Sequence, residues 1–345
     1  MLEKEMTLID FLKKVAPGTA LRTTVDDVLR SKLGALIVFD SPGLDTIVEG
    51  GFKVNCRFTS QKLFELCKMD GAVIVSPDLK RILYANVLLL PDSSILTNET
   101  GTRHKAGERT AKQFNTFVIA VSERKLKTTL YMPKAKYFLK DPGDLLREVS
   151  TALQVLEKQR EIFNDLLGKL NILEMSELVS VSDVCAVIQR TEMILKISES
   201  IKRDFIELGK ESNIMNMRYK ELTRGINKIE EDIIRDYSHT TLKRSKTQLL
   251  NLNFDDLIDL NSISKIIAPE KALEESIITK GFRFMSHLNL KEKDVSQIVK
   301  EFNSLNKIFE ARPEDLEPLL KEEAGSVKAG IESLREKVLS GKLIF

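Results

Sequence analysis

The sequence predicts a multidomain α+β protein. A mixed α/β domain covers residues 1–143, a helical spine residues 144–287, and a run of short helices residues 288–345. Three observations lead there. In the first third, four short and continuously apolar runs, Ala35–Phe39, Ala72–Val75, Val87–Leu90 and Phe117–Val121, alternate with helical segments, as strands covered on both faces do. At Leu145 glycine and proline almost vanish, and apolar residues begin to recur at helical spacing. The 345 residues also exceed the ~250–300 that one core usually supports, so a split into two or three domains is expected.

In chain order, Leu8 to Val15 has helical periodicity and stops at Pro17-Gly18. A second helix starts at Thr24, whose hydroxyl suits an N-cap. Ser60 to Lys68 forms a helix between strands, and the sheet ends near Thr129-Leu130-Tyr131. Asp141-Pro142-Gly143-Asp144 marks the boundary. Beyond it, Leu145, Val149, Leu153, Leu156, Phe163, Leu166, Leu167 and Leu170 stripe one long helix. Val184, Val187, Ile188, Ile194, Ile197, Ile201 and Phe205 stripe a second, with Ser180 or Ser182 as its cap. A third pattern, Ile214 to Tyr237, alternates charges on its outer face, as a solvated bundle helix does. The last segment reads as helices over Asp294–Ala311, Pro313–Leu320 and Ser326–Leu339, with Glu322-Glu323-Ala324-Gly325 as a hinge.

Composition narrows the classes. Lys+Arg 53 against Asp+Glu 51 leaves +2, so bulk charge argues neither for nor against nucleic acid. Cys56, Cys67 and Cys185 lack metal-ligand spacing and cannot all pair, which fits buried thiols in a reducing compartment. Met1–Met6 lacks the basic start and apolar core of a signal peptide, and no apolar run approaches the ~20 residues of a membrane span. A cytoplasmic protein without a membrane partner is expected.

Two stretches carry chemistry. In Glu99-Thr100-Gly101-Thr102-Arg103-His104-Lys105-Ala106, a glycine turn runs into a helix-forming segment, so backbone N–H groups, a hydroxyl and a guanidinium converge where an anion is favoured. In Asp70-Gly71-Ala72, a carboxylate and a glycine open an apolar strand, where the carboxylate can hold a divalent cation. Taken alone, Asp70-Gly71 reads as a turn rather than a site, and His104 as a structural histidine until Thr102 and Arg103 beside it are counted. Their combination points to nucleotide chemistry.

Lys68-Met69-Asp70-Gly71-Ala72, Leu89-Leu90-Pro91-Asp92 and Glu99 through Gln113 closely resemble the diadenylate cyclases of bacteria and archaea. The helical middle and short-helix C-terminus resemble the DNA-integrity-scanning branch of that family, DisA, over essentially the full length. The resemblance implies condensation of two ATP into cyclic di-3′,5′-AMP with release of two pyrophosphates, assisted by Mg²⁺ or Mn²⁺. It implies cyclase domains facing each other in a homo-octamer, and a C-terminal helix-hairpin-helix domain that reads DNA. Carried over, Asp70 is the metal-binding or hydroxyl-activating carboxylate, and Gly71, Ala72 and Leu89 lie against the nucleotide. Thr102, Arg103 and His104 hold the phosphates, Lys105 and Ala106 complete the nucleotide-contacting turn, and Ser122 and Arg124 belong to a further phosphate-contacting loop. Arg109 and Lys112 read as the solvated face of the following helix.

Two departures matter. The family usually reads Arg-His-Arg-Thr-Ala-Glu-Arg, whereas this chain has Arg103-His104-Lys105-Ala106-Gly107-Glu108-Arg109. Lys105 keeps a cation without the bidentate fork, Ala106 drops a hydroxyl, and Gly107 is expected to loosen a helix start. The family's Gly-hydrophobic-Gly hairpin is replaced by Glu323-Ala324-Gly325, while Phe302, Leu305, Ile308, Leu316, Val327, Ile331 and Leu334 keep the domain's apolar face. From Leu288 onward ten Lys/Arg face eleven Asp/Glu, without the basic excess of a DNA footprint. Besides an active cyclase, the alternatives are a DNA-junction sensor and an octameric scaffold with a weak or inactive nucleotide site.

Overall fold

A computed structural model describes residues 7–288 and 290–341; the Met1–Met6 stretch read above lies outside them. The chain forms two compact units, one of residues 1–149 and 202–214, the other of residues 150–201 and 215–345. The first unit holds α1 (Leu8–Lys14), α2 (Ala20–Arg30), β1 (Ala35–Phe39), β2 (Val48–Glu49), β3 (Phe52–Arg57), α3 (Ser60–Cys67), β4 (Ala72–Val75), β5 (Arg81–Leu89), α4 (Thr102–Gln113), β6 (Val118–Ser122), β7 (Lys127–Tyr131) and β8 (Lys136–Phe138).

The strands make one eight-stranded sheet ordered β2-β5-β4-β1-β6-β7-β8, with β3 also paired to β5. Only β1 and β4 are parallel, joined at Leu36↔Ala72 through Phe39↔Val75; the other pairs are antiparallel. The alternation of a strand divides the apolar residues between two faces. Ala35, Ile37, Phe39, Val73, Val75, Ile119 and Val121 pack with Phe11, Leu12, Leu21, Val25 and Leu63 of α1, α2 and α3. Leu36, Val38, Ile74, Val118, Ala120 and Tyr131 pack with Ala111 of α4. Both faces are covered, which is why the strands read as unbroken apolar runs. Each large side chain fully buried here contributes ~1.5–3 kcal/mol.

Several elements differ from the sequence expectation. The helix expected from Thr24 begins at Ala20, capped by Thr19, whose hydroxyl accepts from Arg22 N at 3.2 Å. Thr24 is buried inside it, and its hydroxyl donates to Ala20 O and Ser60 O, tying α2 to α3. The sheet continues past Tyr131 into β8, which pairs Tyr131 with Lys136.

Two long helices, α5 (Pro142–Met175) and α6 (Val181–Leu208), follow, and both units draw residues from them. Asp141 Oδ1 accepts from Gly143 N and Asp144 N and starts α5, while Ser180 Oγ accepts from Asp183 N and starts α6. The expected single pattern from Ile214 to Tyr237 is two helices, α7 (Asn213–Thr223) and α8 (Ile226–Tyr237), because Gly225 turns the backbone left-handed at φ 79°. The second unit continues with α9 (Leu242–Asn251), α10 (Phe254–Ile258), α11 (Leu260–Ile267) and α12 (Phe282–Met285).

Then come α13 (Glu292–Phe302), α14 (Leu305–Glu310), α15 (Pro313–Leu320) and α16 (Ala324–Leu339). The helix expected over 294–311 is split at Asn303, φ 52°. Helix α15 ends at Lys321, φ 51°, and a tight turn over Lys321–Glu323 leads into α16, so the hinge expected over Glu322–Gly325 overlaps that turn, with Ala324 and Gly325 already inside α16. Leu305, Ile308, Leu316, Val327 and Ile331 form the expected apolar core, with Phe302 and Leu334 packed against it. A buried polar cluster supports this part. Asp236 accepts backbone N–H bonds from Gly281, Phe282 and Arg283, and the Arg283 guanidinium is paired with Glu174.

Candidate functional site

Strand register gathers the candidate residues at one end of the sheet. Leu36↔Ala72 puts the starts of β1 and β4 side by side; Ala72↔Val87 brings the end of β5 to the same edge, and Ala35↔Val121 does so for the end of β6. Gly34, Asp70-Gly71, Leu89 and Ser122 therefore share one rim. Gly71 has φ 89°, and a Cβ there would meet Val87 O at 2.7 Å, so only glycine lets the chain enter β4 beside β5. Asp70 is exposed just before it. Among the described residues no group of three His, Cys, Asp or Glu side chains is arranged to hold a metal ion, so Asp70 is not part of a ready-made cluster of ligands.

Helix α4 starts at the same end. Its N-cap is Gly101, with no side-chain cap; its first intrahelical bond is Lys105 N to Gly101 O at 2.9 Å. The amides of Thr102, Arg103 and His104 are thus the helix's open N-terminal donors, where the dipole favours an anion. The Arg103 guanidinium lies directly over Gly34: a Cβ on Gly34 would stand 1.9 Å from one of its terminal nitrogens and 2.6 Å from its central carbon. Gly34 is thus a site residue that sequence reading missed, since nothing local marks a glycine before a strand as a seat for a distant arginine.

His104 is fixed by a polar relay. Its Nδ1 is 2.8 Å from the Tyr131 hydroxyl, and Glu99, whose charge acts on both rings, accepts at Oε1 from Lys136 Nζ at 2.8 Å. Burial holds His104 below its ordinary range against the opposing pull of Glu99, with Arg103 adding to the depression, so the ring is neutral at pH 7. The bond from Lys136 holds Glu99 low, while burial and then Glu99 push Tyr131 well up. Tyr131, Glu99 and Lys136 were not read as a relay, because β7 and β8 contribute two of them.

Arg109 and Lys112, expected as a solvated face, instead hold the segment before α4. Arg109 donates to Ile95 O at 3.0 Å and Ser93 O at 2.8 Å, and Lys112 donates to Leu96 O at 2.9 Å. Gln113 accepts from Asp92 N, and Glu108 accepts from Thr97. Gly107 lies within α4 rather than at its start: it is buried where the helix meets the sheet, and a Cβ would be 3.1 Å from a Leu36 methyl and 3.2 Å from a Val118 methyl.

The remaining candidates fall on the same rim with different exposure. Ala72 and Leu89 are buried in the α4-side core, so what they present to a ligand is backbone; Leu88 and Leu90 flanking Leu89 are 56% and 54% exposed. Lys105 and Ala106 are half-buried on the first turn of α4, and Thr102 is exposed. Ser122 is half-buried at the end of β6, its hydroxyl accepting from Lys125 N, and Arg124 is exposed in the turn after it. The arrangement offers one carboxylate, an open helix N-terminus and a seated guanidinium, a set able to bind a phosphate chain and a divalent cation together.

Two family descriptions match. Residues 22–135 match "DisA bacterial checkpoint controller nucleotide-binding", and residues 139–275 match "DisA bacterial checkpoint controller linker region". Curated relatives carry the name DNA integrity scanning protein DisA. One from Clostridium kluyveri is 38% identical over 347 residues, covering 98% of this chain and 98% of its own length. One from Clostridium botulinum is 37% identical over 352 residues, covering 99% of each. Among solved structures, DacA from Staphylococcus aureus is similar at 24% identity, covering 38% of this chain and 88% of that chain, with a TM-score of 0.31.

Proposed function

This chain belongs to the DisA family of diadenylate cyclases, and on that footing we propose that its first unit condenses two ATP into cyclic di-3′,5′-AMP, releasing two pyrophosphates. The observation that supports this best is the meeting of Asp70, the α4 N-terminus and the Gly34-seated Arg103 guanidinium on one rim. Each cyclase domain binds one ATP. The triphosphate lies on the amides of Thr102 to His104 with Arg103 alongside, and the backbone at Gly71-Ala72 and Leu89 borders the nucleoside. Lys105, Ala106, Ser122 and Arg124 flank the phosphates.

The reaction needs the 3′-hydroxyl of one ATP in line with the α-phosphorus of the other, so positioning and charge stabilisation carry the rate. Asp70 orients that hydroxyl or holds the cation, and Arg103 stabilises charge on the leaving pyrophosphate. A single exposed carboxylate suits Mg²⁺ or Mn²⁺, which such sites share with substrate phosphates, and the ion would supply further neutralisation of the leaving group. Because one cyclase domain holds one ATP, a second copy faces the first, and by the family resemblance the assembly is a homo-octamer.

In this reading residues 1–143 are the cyclase domain, 144–287 the spine and 288–345 a degenerate helix-hairpin-helix domain, in a cytoplasmic protein. No helix among the described residues is long and apolar enough to cross a membrane. Glu323 stands at the N-cap of α16, where a DNA phosphate would approach the backbone, so bulk and negative charge oppose it. The C-terminal domain therefore binds branched DNA weakly at physiological salt, and Glu323→Gly strengthens binding with a steeper salt dependence. Titration of both forms against a branched DNA at two salt concentrations checks this.

The cyclase reading is tested by incubating the purified protein with ATP and Mn²⁺ and identifying the product. Asp70→Asn abolishes cyclisation with an unchanged melting temperature, since it removes a charge contribution worth several kcal/mol. Normal yield from that variant refutes the assignment.

A further inference from the structure

Tyr131 stands in β7 with its backbone paired on both sides, to Val118 of β6 and to Lys136 of β8. Its side chain is fully buried in the core between the sheet and α4, with Leu36, Val38 and Val118. The ring fits closely under the helix: a Cβ on Gly107 would be 3.5 Å from its Cδ2. A phenylalanine would fill that space equally well. The hydroxyl is therefore the atom to explain, because burying one is costly unless it is hydrogen-bonded. It lies 2.8 Å from His104 Nδ1, and the two rings stand edge to face with centroids 6.0 Å apart.

His104 is the third residue of α4, two residues after the Thr102 start and three after the Gly101 N-cap. A half-buried side chain at a helix end has several rotamers open to it, and a bond to a partner fixed in the sheet selects one. The selected ring has its Nδ1 edge toward Tyr131 and its other edge toward the helix start, where a Cβ on Gly101 would be 3.8 Å from Cδ2. The bond to Tyr131 occupies Nδ1 and leaves Nε2 to meet a ligand.

We propose that Tyr131 is a positioning residue for the reaction: its buried hydroxyl holds the His104 ring by Nδ1, so that Nε2 is presented as a donor to a phosphate oxygen at the α4 N-terminus. The inference rests on the placement of the triphosphate given above. An ionised phosphate oxygen only accepts, so Nε2 of the neutral ring carries the proton, Nδ1 accepts, and Tyr131 donates. Burial, then the charge of Glu99, keeps the phenol protonated and able to donate throughout the neutral range. Tyr131 itself does not touch the nucleotide; it acts through the histidine.

Tyr131→Phe, His104→Ala and the double variant, each in the full chain, test this by two measurements made with Mn²⁺. One is cyclic di-AMP formation from ATP. The other is calorimetric titration of 3′-deoxy-ATP, which keeps the triphosphate but has no 3′-hydroxyl to condense. Tyr131→Phe keeps the packing and is expected to lower turnover and weaken 3′-deoxy-ATP binding, each about three- to tenfold, as for loss of one hydrogen bond. In the His104→Ala background the same change is expected to cost nothing in either measurement. A tyrosine that only supported the fold would cost the same in both backgrounds. Equal losses with and without His104, or no loss on Tyr131→Phe alone, overturns the proposal, as does absence of 3′-deoxy-ATP binding by the unmodified protein. A protein that binds 3′-deoxy-ATP yet forms no cyclic dinucleotide refutes the cyclase reading alone, and the titrations still decide the role of Tyr131.

Discussion

Gly34→Ala separates the site from the fold. Gly34 is outside the left-handed region, so alanine adopts its backbone without strain and narrows the unfolded ensemble, worth ~0.4–1 kcal/mol in favour of folding. The added Cβ, however, would stand 1.9 Å, 2.6 Å and 3.0 Å from three atoms of the Arg103 guanidinium. Ordinary contact requires the group to move on the order of 1.5 Å. That displacement is cheap for the fold, because the far end of a flexible side chain gives way. It is expensive for the reaction, since a misplacement of ~1 Å in a positioned group can cost ~10²-fold. We therefore expect Gly34→Ala to melt at or slightly above the temperature of the unmodified protein while cyclic di-AMP formation from ATP falls about 100-fold. Gly34→Ala added to Arg103→Ala should cost nothing more, because both act through one contact. Turnover of the single variant within about threefold of the unmodified protein would refute the seating of Arg103 on Gly34 as a functional contact.

Gly71→Ala should be harmful in both respects, because φ 89° and a Cβ 2.7 Å from Val87 O force β4 and β5 apart; a loss of ~1–3 kcal/mol on chemical denaturation, with lost turnover, is expected. Arg109→Ala removes two bonds to Ser93 and Ile95, so amide exchange should accelerate across residues 92–98 with little change in melting temperature, and turnover should fall less than in Arg103→Ala. Glu230 is buried beside Glu192, with Lys246 Nζ at 3.6 Å, and burial pushes its carboxyl well above the ordinary value of 4.5. A raised carboxyl contributes stability fully at pH below its unfolded value and loses it as pH rises through the folded one. Thermal melts from pH 5 to pH 9 should therefore show falling stability that Glu230→Gln flattens; an identical slope in both proteins would contradict this.

The sequence by itself determined the strands that face two layers and the residues of the two motifs. Ala35–Phe39 and Ala72–Val75 match β1 and β4 because a strand buried on both faces leaves an unbroken apolar signature. Long helices were legible for a similar reason: their apolar stripe repeats over many turns. Missed elements lacked such a signal. β3 is a largely exposed strand rich in polar residues, and β8 is three residues long at the sheet edge. Thr24 looked like a cap because a hydroxyl before an apolar run satisfies backbone donors, yet in the fold that hydroxyl reaches Ser60 O on a neighbouring element. The hinge expected over Glu322-Glu323-Ala324-Gly325 overlaps the turn Lys321–Glu323 between α15 and α16, but Ala324 and Gly325 already belong to α16.

Only tertiary structure decided how the motif residues become a site. Arg103 and Gly34 meet because β1 and β6 pair with Ala35 opposite Val121 and α4 packs across them; His104 meets Tyr131, Glu99 and Lys136 through a strand, a loop and an edge strand. Periodicity and local propensity report what each segment can form. Pairing register, which depends on contacts between segments far apart in the chain, sets which strand ends share a rim.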